Sequence, residues 1–388
     1  LKLGQISKDL SLPVYDLGGR INSKGSLKLD GGKANGGKMS LIADQVILQL
    51  NKDEDPLEFG RLETDLIQDT DGGLNSITTK TLAWRNIDSP HTAPLEKLSP
   101  ITFRWRPPKD GGEIKEFGFS SPKIQLEDIA LFALNLPLPK KIHQWIKISE
   151  ADGELQNVNM NWSESQSALS ALPIPGNWFS SNKLDFTISA KLNDISFTGV
   201  NKSMPSAANL SGNLVGNQKQ GNFTLDSSNL ELEMGDFLSA SEIQLDRAKG
   251  EISWSKQKGG WLINAKKMQL SNPEITTNFD LSYLIGAPKQ PDQITLDMEF
   301  VKAKLATAYR YLPVGMDKDS RLYLSKAFES GEIQNGSLHI KGDPNQAPYP
   351  AGTVGELSLN LPFSKASFKP VPLLPKSQGV WSVLSNVS

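Results

Sequence analysis

The segment Gly32-Lys33-Ala34-Asn35-Gly36-Gly37-Lys38-Met39 carries the glycines and the lysine with which a P-loop cradles nucleotide phosphates. A P-loop also needs Ser or Thr directly after that lysine, to hold magnesium, and a following helix to supply its N-terminal amides. Met39 stands at that position and Ser40 comes one residue late. The stretch Ile42–Leu50 resembles a strand at least as much as a helix. A lysine-bearing β-hairpin turning at Asn35-Gly36 is the better reading, because Asn-Gly favours tight turns.

The three histidines offer no metal chemistry. His91 lies in a Pro-flanked loop, His143 in a helical stretch beside Trp145 and His339 in a strand, each without a second ligand at metal spacing. Glu231/Glu233 and Asp297/Glu299 fall two residues apart, where the wet face of a strand explains them without acid–base work. Asp69-Thr70-Asp71-Gly72 opens like a calcium loop but lacks the later acidic ligands. No Gly-x-Ser-x-Gly elbow occurs, and with 0 Cys there is no thiol, disulfide or zinc–thiolate chemistry. No enzyme activity, cofactor or metal site is expected.

What would position any functional group here is β-structure. Phe186, Ile188, Ala190 and Leu192 alternate with polar residues, as do Phe223 and Leu225, then Leu230 and Leu232. The same holds for Ile275, Phe279, Leu281 and Tyr283, and for Ile294, Leu296, Met298 and Phe300. Period two puts all apolar side chains of a strand on one face. Gly31-Gly32, Gly72-Gly73, Gly111-Gly112 and Gly259-Gly260 punctuate the runs as hairpin turns. Only two places lose the alternation. Gln125–Asn135 and Lys140–Ile148 form one helical insert; Lys302–Tyr311 and Asp319–Ser330, closed by Gly331 as a C-cap, form the other. Behind these inserts come Gly153-Glu154-Leu155-Gln156-Asn157 and Gly331-Glu332-Ile333-Gln334-Asn335, with a weaker echo at Gly250-Glu251-Ile252, which points to a long repeated unit.

Composition bounds the rest. In 388 residues, 41 Lys+Arg against 43 Asp+Glu leave a net charge of −2, so nothing draws the chain to nucleic acid. Trp84, Trp105, Trp162 and Trp254 lack the basic stripe that base-stacking would need and are expected to fill the concave side of the sheet. A hydrophobic share of 38% is too low for a thick core. The longest apolar run, Ile129–Pro139, is about half a membrane span.

Leu126-Glu127-Asp128-Ile129-Ala130, Leu136-Pro137-Leu138-Pro139 and Gly153-Glu154-Leu155 leading to Trp162 together resemble the central signature of the YhdP-type AsmA-like family. Tyr309-Arg310-Tyr311-Leu312-Pro313, Leu324–Ala327, Gly331-Glu332-Ile333 and Gly336-Ser337-Leu338 to Gly342 are similar to a second signature. The ordered set covers residues 126–350; 1–125 fit loosely and 351–388 poorly. The resemblance implies a bridge-like lipid transfer protein of the Gram-negative envelope, a mainly β fold whose long, strongly curved antiparallel sheet forms an open apolar trough. It implies phospholipid as partner, moving through the periplasm between inner and outer membranes. An inner-membrane anchor helix, absent from this sequence, and membrane components reached through other parts of a longer chain are implied as well.

The expected organisation is an N-terminal β segment over 1–125, a helical insert over 126–148, a central β segment over 149–301, a second insert over 302–331, and C-terminal strands with a tail over 332–388. Phe186, Ile188, Phe223, Leu225, Ile275, Phe279, Leu281, Ile294, Leu296, Met298 and Phe300 share the apolar parity of their strands and are the expected lipid-binding lining. Thr187, Thr295, Asp297 and Glu299 then face water. A structural or assembly factor with a β-rich stalk is the alternative, but it predicts short repeats of about 20 residues, which are not seen. A glycan-cleaving enzyme would need a clustered carboxylate pair, which the sequence does not nominate.

Overall fold

The computed structural model describes residues 16–30, 33–49, 56–106, 116–128, 140–164, 184–199, 204–234, 237–370 and 384–387. Over these residues the protein is mainly β and antiparallel, with few helices. The chain divides into two units: residues 1–192 with 215–218, and residues 193–214 with 219–388.

In the first unit, β1 (Asp16–Asp30), β2 (Lys33–Gln49), β3 (Leu57–Asp71) and β4 (Leu74–Asn86) are successive antiparallel partners. The near-miss P-loop lies in the β1–β2 hairpin. Its turn is not at Asn35-Gly36, however: Lys28 pairs with Gly36 and Leu29 with Ala34, so Asn35 is a bulge inside β2, and Asp30 pairs with Lys33. The Gly31-Gly32 turn lies outside the described residues, as does Gly111-Gly112. Gly72 and Gly73, with φ of +54° and +78°, make the two-residue turn between β3 and β4. Positive φ at both central positions matches the twist of the flanking strands, so Asp69–Gly72 is hairpin and not an ion loop. β4 is shared by β5 (Glu96–Leu98) and β6 (Ile101–Trp105), after which β7 (Glu116–Gln125) and β8 (Asp152–Glu164) continue the sheet. Trp84, Phe59, Val46, Ala43 and Leu57 form a buried cluster on β2–β4.

The helix expected over Gln125–Asn135 begins at Leu126, because Gln125 still pairs in β7; residues 129–139 lie outside the described set. The helix α1 (Lys140–Ser149) then leads into β8. β9 (Leu184–Phe197) and β10 (Ser206–Asn217) each contribute residues to both units.

The second unit is a meander of β11 (Gln220–Glu233), β12 (Glu242–Gln257), β13 (Gly260–Ser271), β14 (Ile275–Gly286), β15 (Gln293–Lys304) and β16 (Phe328–Gly342). β16 is shared by β17 (Gly355–Asn360) and β18 (Phe363–Phe368), and β18 pairs with β19 (Leu384–Val387). Lys302–Lys304, expected to be helical, remain in β15 because they pair with Gln334–Glu332. A 3-10 helix covers Leu305–Tyr311. The helix α2 runs Lys318–Ala327, with the Asp317 carboxylate accepting the Ser320 N–H at 2.8 Å as N-cap. It stops before Phe328, whose ring meets Phe368 at 5.3 Å across the β16–β18 pair. Sheet pairing thus wins over helix continuation, and Gly331 is not a C-cap.

Gly331 has a different task. Its φ is +134°, and a Cβ there would lie 2.7 Å from Leu305 Cδ1 and 3.1 Å from Ala366. Its counterpart Gly153 has φ +113°, and the Asn four residues on has φ +51° at Asn157 and +53° at Asn335. The Gly-Glu-Leu/Ile-Gln-Asn repeat therefore encodes the same pair of kinks in β8 and β16. A residue at positive φ interrupts the extended backbone and bends the strand, although the register across Asn157 and Asn335 is unbroken. The Glu of each copy pairs with a neighbouring-strand lysine, Lys123 for Glu154 and Lys302 for Glu332.

Candidate functional site

In the second unit the register joins apolar residues of successive strands into continuous rows. One row runs Phe223, Ile252, Ala265, Leu281, Leu296, Ile340 and Leu357, one residue from each of β11 to β17. On one side of it lie Trp254, Ile263, Tyr283 and Ile294; on the other lie Met268, Phe279, Met298, Leu338 and Leu359. At about 4.8 Å between strands, six gaps give a row of roughly 29 Å. Parity alone does not carry the rows through. On β11 and β12 the exposed pairs Ser228–Asn229 and Asp246–Arg247 interrupt the alternation, so that Leu230 and Leu245 return to the face of Ser227 and Ala248. On β13 the bulge at Lys266–Lys267 does the same between Ala265 and Met268. The Lys267 N–H donates to Asp280 Oδ1 at 2.7 Å, and this bond, with Lys266 nearby, holds the Asp280 carboxyl below the usual carboxylate range.

Of the expected lining, Phe279, Leu281, Ile294, Leu296, Met298 and Phe300 come together on β14 and β15 and are only half-buried, although paired strands flank them on both sides. A side chain in a covered core would be sealed; these reach solvent. A shallow cavity of about 600 Å³ over β13–β16 is lined mostly by the charged face, with Lys267, Asp280, Asp297, Glu299 and His339 beside Met268, Phe279, Met298 and Leu338, so it does not by itself mark the apolar rows. Phe223 and Leu225 are on the same face but buried. Ile275 belongs elsewhere: it is packed with Ala303, Leu305, Ile333 and Ala366 beneath the 3-10 helix, and Phe300 touches the same cluster. Phe186 and Ile188 are half-buried on β9, in the first unit. Thr187, Asp297 and Glu299 are exposed and Thr295 is half-buried.

Close packing flattens the floor of the rows. A Cβ on Gly212 would meet the Phe223 ring at 2.6 Å, one on Gly221 the Trp254 ring at 2.1 Å, and one on Gly355 the Tyr349 ring at 2.2 Å. In each case an aromatic ring lies down over a glycine instead of standing off the sheet. The opposite face is a charge ladder: Lys267–Glu251 and Lys266–Asp280 at 3.3 Å, and His339 Nδ1 to Asp297 Oδ1 at 2.6 Å. Such exposed pairs contribute little stability, but they keep that face wet. His339 thus has a carboxylate partner that sequence spacing did not disclose, since it comes from the neighbouring strand. His91 is exposed in its loop and its carbonyl accepts from Arg85; the His143 side chain lies outside the described set. Among the described residues no cluster of three metal-ligating side chains forms, and no helix is long and apolar enough to cross a membrane.

The profile of the YhdP protein family matches residues 5–378. The chain belongs to the YhdP family. Over 192 residues, 48% of the chain, it is 24% identical to the intermembrane phospholipid transporter YhdP of Escherichia coli K12. That match covers 14% of the E. coli protein. No solved structure matches the chain. The YhdP-family match extends over both signatures recognised in the sequence and over the tail to residue 378, which those signatures fit poorly. Sequence reasoning placed Trp254 on the concave side but missed Ile252, Ile263, Leu338, Ile340, Leu357 and Leu359 as members of the rows. Their own alternation, in Ile252–Trp254, Leu338–Ile340 and Leu357–Leu359, is the signal that could have found them.

Proposed function

We propose that this chain is a section of a lipid conduit, along which phospholipid acyl chains move over the apolar rows of β11–β17. The observation that carries the reading is a set of apolar rows, half-buried in mid-sheet, on a single layer of strands. A soluble protein does not leave such a surface to water without a partner. Each methylene hidden there contributes about 0.8 kcal/mol, so the roughly thirty methylenes of one phospholipid amount to on the order of 20 kcal/mol. A row of roughly 29 Å is comparable with the ~30 Å hydrocarbon thickness that two opposed acyl layers fill. One lipid therefore occupies part of a row and can advance along it. The activity for which the E. coli relative is named, intermembrane phospholipid transport, supports the same substrate, and with it a location between the two membranes of the envelope, in the periplasm. An inner-membrane anchor and contacts with outer-membrane components belong to this proposal, carried by other parts of a longer chain.

On this reading Phe279, Leu281, Ile294, Leu296 and Met298 contact acyl chains directly, while Phe223 and Leu225, buried on the same face, support the β11 end of the rows. Photocrosslinkers placed at Leu296 and Phe279 are expected to capture phospholipid in the purified chain, while one at Thr295 captures none. Equal labelling at all three positions, or none at any, would overturn the conduit and favour a purely structural role.

A further inference from the structure

The two copies of the Gly-Glu-Leu/Ile-Gln-Asn motif are joined to their sheets in one register. Gln156 of the first pairs with Lys123 on β7, and Gln334 of the second with Lys302 on β15. Each helical insert lies between the two strands so paired. From this fixed point the apolar parity can be followed outward. Three residues past Asn335 stands Leu338, which pairs with Met298, then Phe279, then Met268. Three residues past Asn157 stands Met160, which pairs with Phe119, then Phe103, then Ile77, on β8, β7, β6 and β4. Over four strands, each apolar residue of one unit has an apolar counterpart in the other, as a repeated unit requires.

The first-unit row is also open. Ile77, Phe103, Phe119 and Met160 are half-buried, although β6 and β7 have paired strands on both sides. A closed core would seal them, as it seals Phe59 and Trp84 of the same unit, each 1% exposed. The adjoining row, Thr78, Thr102, Ser120 and Asn159, is polar, so this layer too is apolar on one face only. The Phe103 and Phe119 rings stand 5.5 Å apart and join neighbouring strands into one surface.

We propose that Ile77, Phe103, Phe119 and Met160 form a second acyl-binding row, equivalent to Met268, Phe279, Met298 and Leu338, so that the chain carries two phospholipids at once, one on each unit. The proposal rests on the lipid reading above and adds to it a site and a stoichiometry. The equivalence supplies the occupant: a surface built in the same register, with the same one-sided apolar character and the same partial exposure, suits the same hydrocarbon.

The test counts lipids on the full 388-residue chain by native mass spectrometry after incubation with phosphatidylglycerol vesicles. The wild type is expected to hold two. Phe119→Glu and Met298→Glu should each hold one and the double variant none, because a charge on a row would have to be desolvated beneath an acyl chain. Asn159→Glu, on the wet face, should still hold two. Should a charged variant fail to fold, photocrosslinkers decide: one at Phe119 is expected to capture lipid and one at Asn159 none. A single lipid on the wild type, kept in Phe119→Glu and lost in Met298→Glu, with no adduct at Phe119, would overturn the second row and leave the conduit standing. Equal adducts at Phe119 and Asn159 would overturn it as well. A single lipid lost only in Phe119→Glu would bring down both the equivalence and the β11–β17 reading, and so would a wild type that holds none.

Discussion

The two ends of the same strands in the second unit are built to opposite specifications. Toward Ile275, Ala303 and Ile333, the sheet is covered: Leu305 and Tyr311 of the 3-10 helix and Ala366 of β18 seal a cluster in which Ile333 is 2% and Ala366 0% exposed. Arg310 and Tyr311 both reach Glu274, at 2.7 and 3.0 Å, and tie that cover to the β13–β14 turn. A few residues along, Phe279, Leu281, Leu296 and Met298 are equally apolar and remain half-buried. Amino-acid type therefore does not distinguish core from surface here. What distinguishes them is whether the chain supplies a lid, and among the described residues that lid lies at the Ile275 end.

The largest expected consequence is in stability. Ala366→Glu places a carboxylate in a sealed cluster, at a cost of several kcal/mol, and should unfold that end of the second unit at a much lower urea concentration. Leu296→Glu can turn its charge to solvent and should leave a normal urea transition. If both variants unfold alike, the two ends do not differ. A milder pair makes the comparison quantitative: Ile333→Ala should cost about 2–4 kcal/mol through transfer and cavity, but Leu296→Ala only about 1 kcal/mol, because part of its surface is already wet. Denaturant midpoints at constant slope would measure the gap.

Function should rank the positions the other way. A charge in the acyl path raises the passage barrier, and each ~1.4 kcal/mol slows it about tenfold. Leu296→Arg and Phe279→Glu are therefore expected to cut lipid transfer between vesicles by about tenfold or more in a folded chain. Thr295→Arg, directed away from the rows, should be nearly silent; a loss of transfer there matching that of Leu296→Arg would count against the rows as the path.

The smallest effect concerns Tyr283, which stands in the open rows. Burial, followed by its hydrogen bond to Asp292 at 2.6 Å, pushes its phenol up to about 12. A pKa raised on folding contributes stability that is complete below the unfolded value near 10 and lost as pH climbs through the folded one. Phenolate absorbance should show a tyrosine titrating near 12, and Asp292→Asn should bring it down part of the way, since burial remains. A titration unchanged by that substitution would separate Tyr283 from Asp292.

The alternating runs made the strands, their apolar faces and the row residues of β14 and β15 readable from sequence, because period two is a property of neighbouring residues. The interruptions were not readable. Asn35-Gly36 has the composition of a turn and is a bulge; Lys266–Lys267 breaks parity because Asp280 on the next strand binds the Lys267 N–H. Those outcomes depend on partners in other strands. The same limit explains the helical inserts, where Lys302–Lys304 and Phe328–Ser330 have helical neighbours in sequence but strand neighbours in space. The Gly-Glu-Leu/Ile repeat was legible as a repeat, and its physical content, a kink at Gly and a second at Asn, emerged only from backbone angles.

The succession of hairpins from β11 to β16 also governs how the chain finds its shape. Each strand bonds mainly to the one before and the one after it in sequence, so few contacts wait on distant parts of the polypeptide. Loop closure then costs little at every step, and order can spread from one hairpin to the next as it does along a solenoid. Damage obeys the same arithmetic. A destabilised hairpin loosens its two neighbours and little beyond them, so the chain can breathe at one place while the strands on either side keep their register.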